Sequence, residues 1–464
     1  MSSLRDHEVE LEHLVNRLAR RTSFVEVMAE TSRGQRVRLD RQRTNPSSEP
    51  RFQGTAVRVW AGTRWAECAT SDLSTRGVEA AAEGLEGSLG PDALRSQPPG
   101  PSATTVASSA TNPARPVSAM GLEELIRRAT EIRGWAAQVP SIRETQVSLA
   151  WSDEERFYLN SAGARCDQTT SRVHAGVVAV AFDEGKIQLD FHGEGGIGGA
   201  EILERLTEPR VQEVAEGARA LLTAETPPTG ETTVLLDPGV AGMFAHESFG
   251  HGTEADQFVR DRSYLKPILG EPVGPEFLTI VDNGAYPGGW GSIYFDDEGN
   301  PGQRTVLVDH GRFVGALHDR ETAAKLHAQP TGNTRRSDFL SRPFVRMTNT
   351  YVEPGDWTKE ELIQEAKEGI ILERGTSGIE DPLGGQMQLK VRKGHRIEHG
   401  KVTGLVSSMA LSGRVLDFLR AIRGVGDGTE FEIEPGFCGK GHSDPIPAGT
   451  GGAYLLSTAV VGPA

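Results

Sequence analysis

The 464-residue sequence predicts an α+β fold, with an N-terminal α/β part built on antiparallel meander sheets and a β-rich C-terminal domain. Two patterns indicate the N-terminal part. Helices there place apolar residues three and four positions apart, and runs of alternating apolar and polar residues follow one another across short turns. A third observation indicates the C-terminal domain: from Glu231 onward the chain is rich in glycine and its β-type runs are short.

The first predicted unit covers residues 1–87. An amphipathic helix over residues 9–22 opens it, because Leu11, Leu14, Val15 and Leu18 share one helical face. Alternating runs predict strands at residues 24–31, 36–42, 55–61 and 64–70, the last two joined as a hairpin. A helix over residues 73–87 follows and starts behind Ser71 and Asp72, which are suitable N-caps.

Residues 88–119 are rich in Pro, Ser and Ala and predict a long exposed connector. The next unit, residues 120–230, completes the N-terminal domain. It consists of a helix at 121–137, a β-meander at 145–151, 156–160, 165–182 and 186–192, and a helical segment at 201–222 interrupted at Pro209. The C-terminal domain then covers residues 231–464, where one amphipathic helix at 358–367 interrupts the short strands.

Composition excludes several classes of protein. Lys and Arg number 49 against 64 Asp and Glu, so the net charge of −15 argues against a nucleic-acid binder and gives no attraction to anionic lipid. The three cysteines are far apart in the sequence, so we expect no disulfide framework and a protein in a reducing compartment. No apolar segment resembles a signal peptide or a membrane span, so we expect a cytoplasmic protein that does not contact a membrane.

The most informative motif is H-E-x-x-x-H, formed by His246, Glu247 and His251. Two histidines five residues apart lie about 140° apart around an ideal α-helix, so both could bind one metal only if the helix is distorted. A π-bulge, or a helix that ends at Gly250, would supply this distortion. Glu247 could then take a proton from the attacking water. The alternative is a surface helix with polar residues.

Cys438 is a candidate third ligand, presented by a Gly- and Pro-rich loop at residues 434–447. Two imidazoles and one thiolate suit Zn²⁺ and leave a fourth position open, which is typical of a catalytic site. The alternative for Cys438 is a buried structural thiol. Glu254, Asp256 and His442 are competing third ligands, or residues that orient the histidines or contact substrate.

The string HESFGHGTEAD at residues 246–256, together with GFCGK at 436–440, resembles the metal-bearing, TldD-like branch of the TldD/PmbA family of metallopeptidases. Further blocks at residues 54–74, 159–168, 296–299, 331–336 and 344–355 match as well. The resemblance implies zinc, or another divalent metal, held by His246, His251 and Cys438, with Glu247 as the catalytic base. It also implies a homodimer, or a heterodimer with a TldE/PmbA-like paralogue, whose cavity receives an unfolded peptide as an added strand.

The sequence departs from the family pattern after CGK, where Gly441 and His442 stand, and in the expanded connector. The substrate is therefore either unfolded peptide in general or a modified peptide or biosynthetic intermediate. A peptide-binding or chaperone-like protein with a structural metal is the alternative from another class.

Three further motifs have competing interpretations. Residues 193–198 match G-x-G-x-x-G, but antiparallel strands precede them and no acidic residue follows at the required distance, which favours a glycine turn over a dinucleotide site. The acidic cluster of Asp296, Asp297 and Glu298 has two interpretations: it binds a substrate amine or a cation, or it is a solvated turn. The adjacent pair Arg335 and Arg336 also has two interpretations: it contacts a substrate carboxylate, or both side chains are solvated.

Overall fold

The computed structural model describes residues 4–40, 43–441 and 443–464. The α-helices in chain order are α1 Glu8–Leu18, α2 Thr75–Glu86, α3 Leu122–Ala136, α4 Ala200–Arg205, α5 Glu208–Ala220, α6 Pro238–Met243, α7 Ala255–Val259, α8 Arg320–Leu326, α9 Lys359–Ala366 and α10 Val415–Arg420. The N-terminal strands are β1 Val25–Leu39, β2 Thr44–Trp60, β3 Trp65–Thr70, β4 Val106–Ala110, β5 Ile142–Asn160, β6 Arg165–Asp183 and β7 Lys186–Ile197.

The C-terminal strands are β8 Gly230–Leu236, β9 Ile280–Asn283, β10 Arg304–Asp309, β11 Arg312–Phe313, β12 Thr334–Arg335, β13 Phe344–Val345, β14 Asn349–Val352, β15 Gly369–Glu380, β16 Gln386–Glu398, β17 Lys401–Val406, β18 Met409–Arg414, β19 Gly424–Val425, β20 Glu432–Lys440, β21 Ser443–Gly452 and β22 Leu455–Pro463. The predicted α+β class is confirmed. Among the described residues, no helix is long and apolar enough to cross a membrane.

One seven-stranded sheet forms the N-terminal part, in the order β3-β2-β1-β5-β6-β4, with β7 also paired to β6. Strands predicted as separate meanders therefore share one sheet, because β1 pairs with β5 along its length. The turn that we expected between the predicted strands at 145–151 and 156–160 is wrong, since residues 152–155 pair with both β1 and β6. The predicted connector contributes β4, which runs parallel to β6. The division of the chain at residues 87, 119 and 230 stays a prediction.

Two large sheets and the two-stranded sheet β12-β13 build the C-terminal domain. The first has the order β11-β10-β9-β14-β21-β20, so β20 is its edge strand. The second has the order β15-β8-β22-β18-β16-β17 and closes on itself through a β15–β16 pairing. Helix α6 packs against β20 and β21 of the first sheet and β15 of the second. The largest apolar core lies here and includes Phe244, Phe249 and Cys438.

The glycine-rich segment at residues 193–198 is not the turn that we predicted, because residues 193–197 continue strand β7. A dinucleotide loop is excluded for the same reason. The glycines instead allow close packing between domains: a Cβ atom on Gly195 would lie 2.7 Å from Pro435 Cβ and 3.2 Å from the Trp290 ring.

Buried ion pairs join the N-terminal sheet to the C-terminal domain. Arg156 of β5 donates two hydrogen bonds to Asp297, at 2.7 and 2.9 Å, and Arg320 of α8 donates to Glu26 of β1 at 2.6 Å. The interpretation of residues 296–298 and 335–336 as solvated surface is therefore wrong, since all five side chains are buried. The ion-pair partners of Asp297 and Arg336, which are Arg156 and Glu67, lie more than a hundred residues away in the sequence and leave no local pattern.

Candidate metal centre

The histidine motif lies on a helix that changes its winding. Asp237 caps α6 by accepting a hydrogen bond from the Val240 N–H at 2.7 Å, and Pro238 occupies the first helical position. The helix continues as a π-helical segment over Phe244–Phe249 and then as a 3₁₀ segment over Gly250–Thr253. The distortion that the five-residue spacing required is present, and the rings of His246 and His251 lie 5.3 Å apart.

Cys438 reaches the two histidines from edge strand β20. The loop predicted at residues 434–447 is wrong for 434–440 and 443–447, which lie in the antiparallel strands β20 and β21, where Cys438 pairs with Ile446. Buried Arg346 holds this strand by donating a hydrogen bond to the Cys438 carbonyl oxygen. One potential ligand atom each from His246, His251 and Cys438 lies within 4.8 Å of the others, and Cys438 Sγ is 4.0 Å from His251 Nε2.

The charges at this site favour a thiolate. Burial raises the pKa of Cys438, but hydrogen bonds and positive charge from His246 and His251 outweigh it and lower the pKa to about 5. The pKa of His251 is raised well above its ordinary value, because Glu254 and Cys438 outweigh the effect of burial. A thiolate and imidazole nitrogens are the donors that Zn²⁺ prefers, so this set of residues fits the metal that the sequence predicts.

Each histidine has a partner on its second ring nitrogen. His251 Nδ1 lies 3.1 Å from buried Glu254, whose other neighbour is Lys440 Nζ at 3.1 Å. Burial raises the pKa of Glu254, yet Lys440 and His251 lower it to about 2. Glu254 is thus an ionised acceptor that holds the proton on Nδ1, so Nε2 is the nitrogen that can give up its proton and bind a metal.

His246 is oriented in the same way by residues that the sequence analysis missed. Its Nδ1 lies 3.5 Å from Thr350 Oγ1, which donates a hydrogen bond to Asp282 at 2.9 Å. Because the hydroxyl proton points to Asp282, Thr350 can only accept from Nδ1–H, and His246 Nε2 is left free. No local signal marks Asp282 and Thr350, since β9 and β14 bring them together only in the folded chain.

The remaining predicted residues take different positions. Asp256 pairs with Lys440 Nζ at 2.7 Å and so lies one contact further from the histidines than Glu254. His442 lies outside the described residues. Lys440 was missed as a site residue, although it stands two positions after Cys438 in the same sequence block.

Glu247 lies on the open side of the cluster. Its Oε2 is 3.7 Å from His251 Nε2, and the two side chains are 30% and 24% exposed, whereas His246 and Cys438 are buried. The stem of Glu247 packs against Gly378 of β15, on which a Cβ atom would lie 2.6 Å from Glu247 Cβ. A carboxylate at this place can accept a proton from a water molecule next to the cluster.

A second group of possible ligands, His192, Glu194 and Glu432, also converges. Arg374 Nη1 lies 3.0 Å from His192 Nδ1, and because a guanidinium can only donate, Nδ1 must be the acceptor. The ring proton therefore stands on Nε2, which points at Glu194 from 2.7 Å. This arrangement is a hydrogen-bonded array and leaves no imidazole lone pair for a metal.

Comparison with protein families gives two matches. Residues 229–461 match the PmbA/TldA metallopeptidase C-terminal domain, and residues 115–222 match the PmbA/TldA metallopeptidase central domain. The chain belongs to the PmbA/TldD metallopeptidase family. The resemblance noted in the sequence is thereby confirmed.

Relatives in this family carry corresponding names. A metalloprotease of Methanothermobacter thermautotrophicus is 35% identical over 446 residues, which cover 95% of this chain and 96% of the relative. A metalloprotease of Synechocystis sp. is 31% identical over 98% of this chain and 97% of its own length. A zinc metalloprotease TldD homolog of Saccharolobus solfataricus is 32% identical over 50% of this chain and 52% of its own.

Solved structures share the fold of this PmbA/TldD family member. A protein from Thermotoga maritima described as a modulator of DNA gyrase superimposes with a TM-score of 0.81 at 21% identity, covering 98% of this chain and 99% of that one. TldE from Thermococcus kodakarensis superimposes with a TM-score of 0.77 at 18% identity, covering 97% and 99%.

Proposed function

We propose that this chain is a zinc-dependent peptidase of the TldD type. The observation that carries the proposal is the convergence of His246, His251 and Cys438 beneath an accessible Glu247. The names of the relatives, which include metalloproteases and a zinc metalloprotease, support the same activity. Zinc suits the donor set best, and another divalent metal is the alternative.

In this proposal His246, His251 and Cys438 hold the metal, while Thr350 and Glu254 keep the two histidines in the required tautomer. A bound zinc ion supplies Lewis acidity to the scissile carbonyl and to the attacking water. Glu247 takes the proton of that water and delivers it to the leaving amine nitrogen. Donation by a thiolate makes the metal less electrophilic than three imidazoles would, so proton transfer by Glu247 carries more of the catalysis.

The substrate that we propose is an unfolded peptide, or a modified peptide or biosynthetic intermediate, bound as an added strand. Strand β15 offers an edge for it: β8 pairs only with residues 370–372, and among the described residues no strand pairs with residues 373–380 on that side. This edge includes Gly378, which contacts Glu247. Main-chain pairing there would tolerate many side chains.

We further propose that the chain works in the cytoplasm as a homodimer, or as a heterodimer with a TldE/PmbA-like paralogue. The fold shared with TldE supports a paralogous partner, because similar chains can form equivalent contacts. Peptide would be the partner at the active site, and the net charge of −15 argues against nucleic acid.

Metal content and turnover test this proposal together. Zinc is measured by elemental mass spectrometry under reducing conditions in the wild type, Cys438→Ser and Glu247→Gln, with Cys68→Ser as the matched control because Cys68 lies outside the cluster. We expect about one zinc per chain in the wild type, Cys68→Ser and Glu247→Gln, and its loss in Cys438→Ser. Peptide hydrolysis should be lost in Glu247→Gln.

Full peptidase activity in Glu247→Gln would refute the role of that residue. A zinc-loaded wild type with no hydrolysis of any unfolded peptide would favour the non-catalytic peptide-binding alternative. That alternative is disfavoured by the number of ligands, since a structural zinc normally has four protein ligands and the described residues of this cluster offer three.

A further inference from the structure

A small cavity of about 70 Å³ lies between the N-terminal sheet and the C-terminal domain. Strands β5 and β6 form one wall, and residues from β12 and β21 line the other. A single water molecule needs only about 10–15 Å³ of such space. The cavity therefore has room for a ligand of a few heavy atoms and is too small for a nucleotide or a peptide side chain with a ring.

Arg335 brings an uncompensated charge to this cavity. The side chain is only 6% exposed, and its one hydrogen bond within the described part of the chain runs from Nη1 to the Met347 carbonyl oxygen at 2.8 Å. No carboxylate of the described residues lies within ion-pair distance of it. The other arginines that line the cavity do have carboxylate partners: Arg156 pairs with Asp297, Arg172 with Glu154, and Arg336 with Glu67.

The nearby negative groups offset this charge only in part, because the attraction of Glu154 and Cys438 for Arg335 acts without a direct ion pair. Asp296, which lines the cavity, accepts hydrogen bonds from the backbone N–H groups of Glu298, Asn300 and Thr334 and not from Arg335, and burial and repulsion from Glu298 raise its pKa to about 8. Burial and repulsion from neighbouring arginines lower the pKa of Arg335 itself to about 9, which still leaves it charged. A buried charge without a partner is costly, and a bound anion would remove that cost.

A second donor faces the same space. Thr170 is buried and lines the cavity, and among the described residues its hydroxyl has no hydrogen-bond partner. Thr170 and Arg335 thus approach the cavity from opposite walls, one on β6 and one on β12. A planar guanidinium with free N–H groups and a hydroxyl are together suited to a carboxylate.

We propose that Arg335 and Thr170 bind a carboxylate group in this cavity. The carboxylate has two conceivable sources, a small free acid anion or the C-terminal carboxylate of a peptide. The second source is relevant because the cavity borders the proposed metal centre: Ile446 lines it and pairs with Cys438, and Met347, the partner of Arg335, packs against Gly250. The peptide source rests on the proposed function, whereas the site itself does not.

Thermal unfolding of the zinc-loaded protein tests the site without any turnover. Sodium acetate is raised at constant ionic strength against sodium pivalate, a carboxylate of the same charge that is too bulky for the cavity. A ligand that binds only the native state raises Tm, and we expect acetate to raise it about 2–4 °C above pivalate. Equal Tm values in the two salts would overturn the proposal.

Variants assign the effect to Arg335. Arg335→Met should lose the difference between acetate and pivalate, while Arg304→Met, which breaks a surface pair with Glu353, should keep it. An undiminished difference in Arg335→Met would overturn the assignment. If Arg335→Met does not fold, Thr170→Val replaces it and should weaken the response to acetate. Glu247→Gln should respond as the wild type does, so the test is independent of peptidase activity.

A peptide with a free C-terminus and its C-terminal amide then distinguish the two sources. If the peptide supplies the carboxylate, the wild type binds the free acid more tightly, acetate competes with it, and Arg335→Met loses this preference. If a free anion is the ligand, acetate still stabilises the wild type while acid and amide bind equally. Both outcomes support the site, and equal Tm values in acetate and pivalate would refute it whichever peptide binds more tightly.

Discussion

Substitution Gly250→Ala tests whether the packing around the π-helical segment controls the metal centre. Gly250 has φ −60° and ψ −45°, a helical conformation open to alanine, so any cost must come from contacts. The new Cβ atom would lie 2.3 Å from Met347 Sδ and 2.9 Å from the Ala245 carbonyl oxygen. Met347 is fully buried and the carbonyl belongs to the helix, so neither can move away easily. Such overpacking costs about 1–3 kcal/mol.

Because the displaced helix segment carries both histidines, we expect zinc affinity to fall about 10–100-fold, as it does when the supports of metal ligands are disturbed. Urea unfolding measures stability, and competition with a chromophoric chelator measures zinc affinity. Gly134→Ala is the matched control: this glycine is in helix α3 with nothing within 4 Å of a new Cβ, so the change should stabilise by about 0.5–1 kcal/mol.

The central expectation is that Gly250→Ala lowers the free energy of unfolding whereas Gly134→Ala raises it. Wild-type stability together with wild-type zinc affinity in Gly250→Ala would refute the argument, because it would mean that Met347 and the helix yield to a methyl group without moving the histidines. A loss of stability with unchanged zinc affinity would separate packing from metal binding.

Three further predictions concern other parts of the chain. Burial and the charge of Asp237 raise the pKa of Glu434 from 4.5 to about 7, so the wild type loses stability as pH rises through this window. In urea unfolding, the free energy of unfolding of Glu434→Gln relative to that of the wild type should therefore be about 1–3 kcal/mol higher at pH 8 than at pH 5. The same relative stability at both pH values would contradict this. Arg320→Met removes one of two arginines that pair with buried Glu26 and Glu298, so that Arg58 alone offsets both carboxylates, and it should cost about 3 kcal/mol in the same assay. A loss below about 1 kcal/mol would show that the interdomain pair is dispensable. Ser74 accepts a hydrogen bond from the first turn of helix α2, so Ser74→Ala should cost about 1 kcal/mol and Ser74→Asp should restore it, as measured by thermal unfolding.

Local patterns in the sequence predicted most helices and strands and the candidate ligands. Residues 8–18, 75–86 and 122–136 form helices close to the predicted ranges, because an amphipathic face records which side of a helix is buried. The five-residue spacing of His246 and His251 even required a distorted helix, and the π-helical segment supplies it. Spacing along one element is a short-range property that the chain carries in itself.

Errors occurred where distant segments decide the structure. The Gly- and Pro-rich segment around Cys438 predicted a loop, but pairing with β21 makes it an edge strand. The glycines at residues 193–198 predicted a turn, yet residues 193–197 continue strand β7, where Gly195 allows close contact with Pro435 and Trp290. In both segments the Gly-rich composition indicates an unusual backbone, but it does not indicate which distant residues that backbone contacts.

The sequence by itself determined the family of this chain, its helical and strand segments, and the identity of the residues proposed to hold a metal. Only the tertiary structure decided which residues support them: Thr350 and Asp282 behind His246, Glu254 and Lys440 behind His251, and a buried arginine left without an acid. The physical reason is that charge compensation and hydrogen bonding depend on distance in space, and strands from remote parts of the chain set that distance.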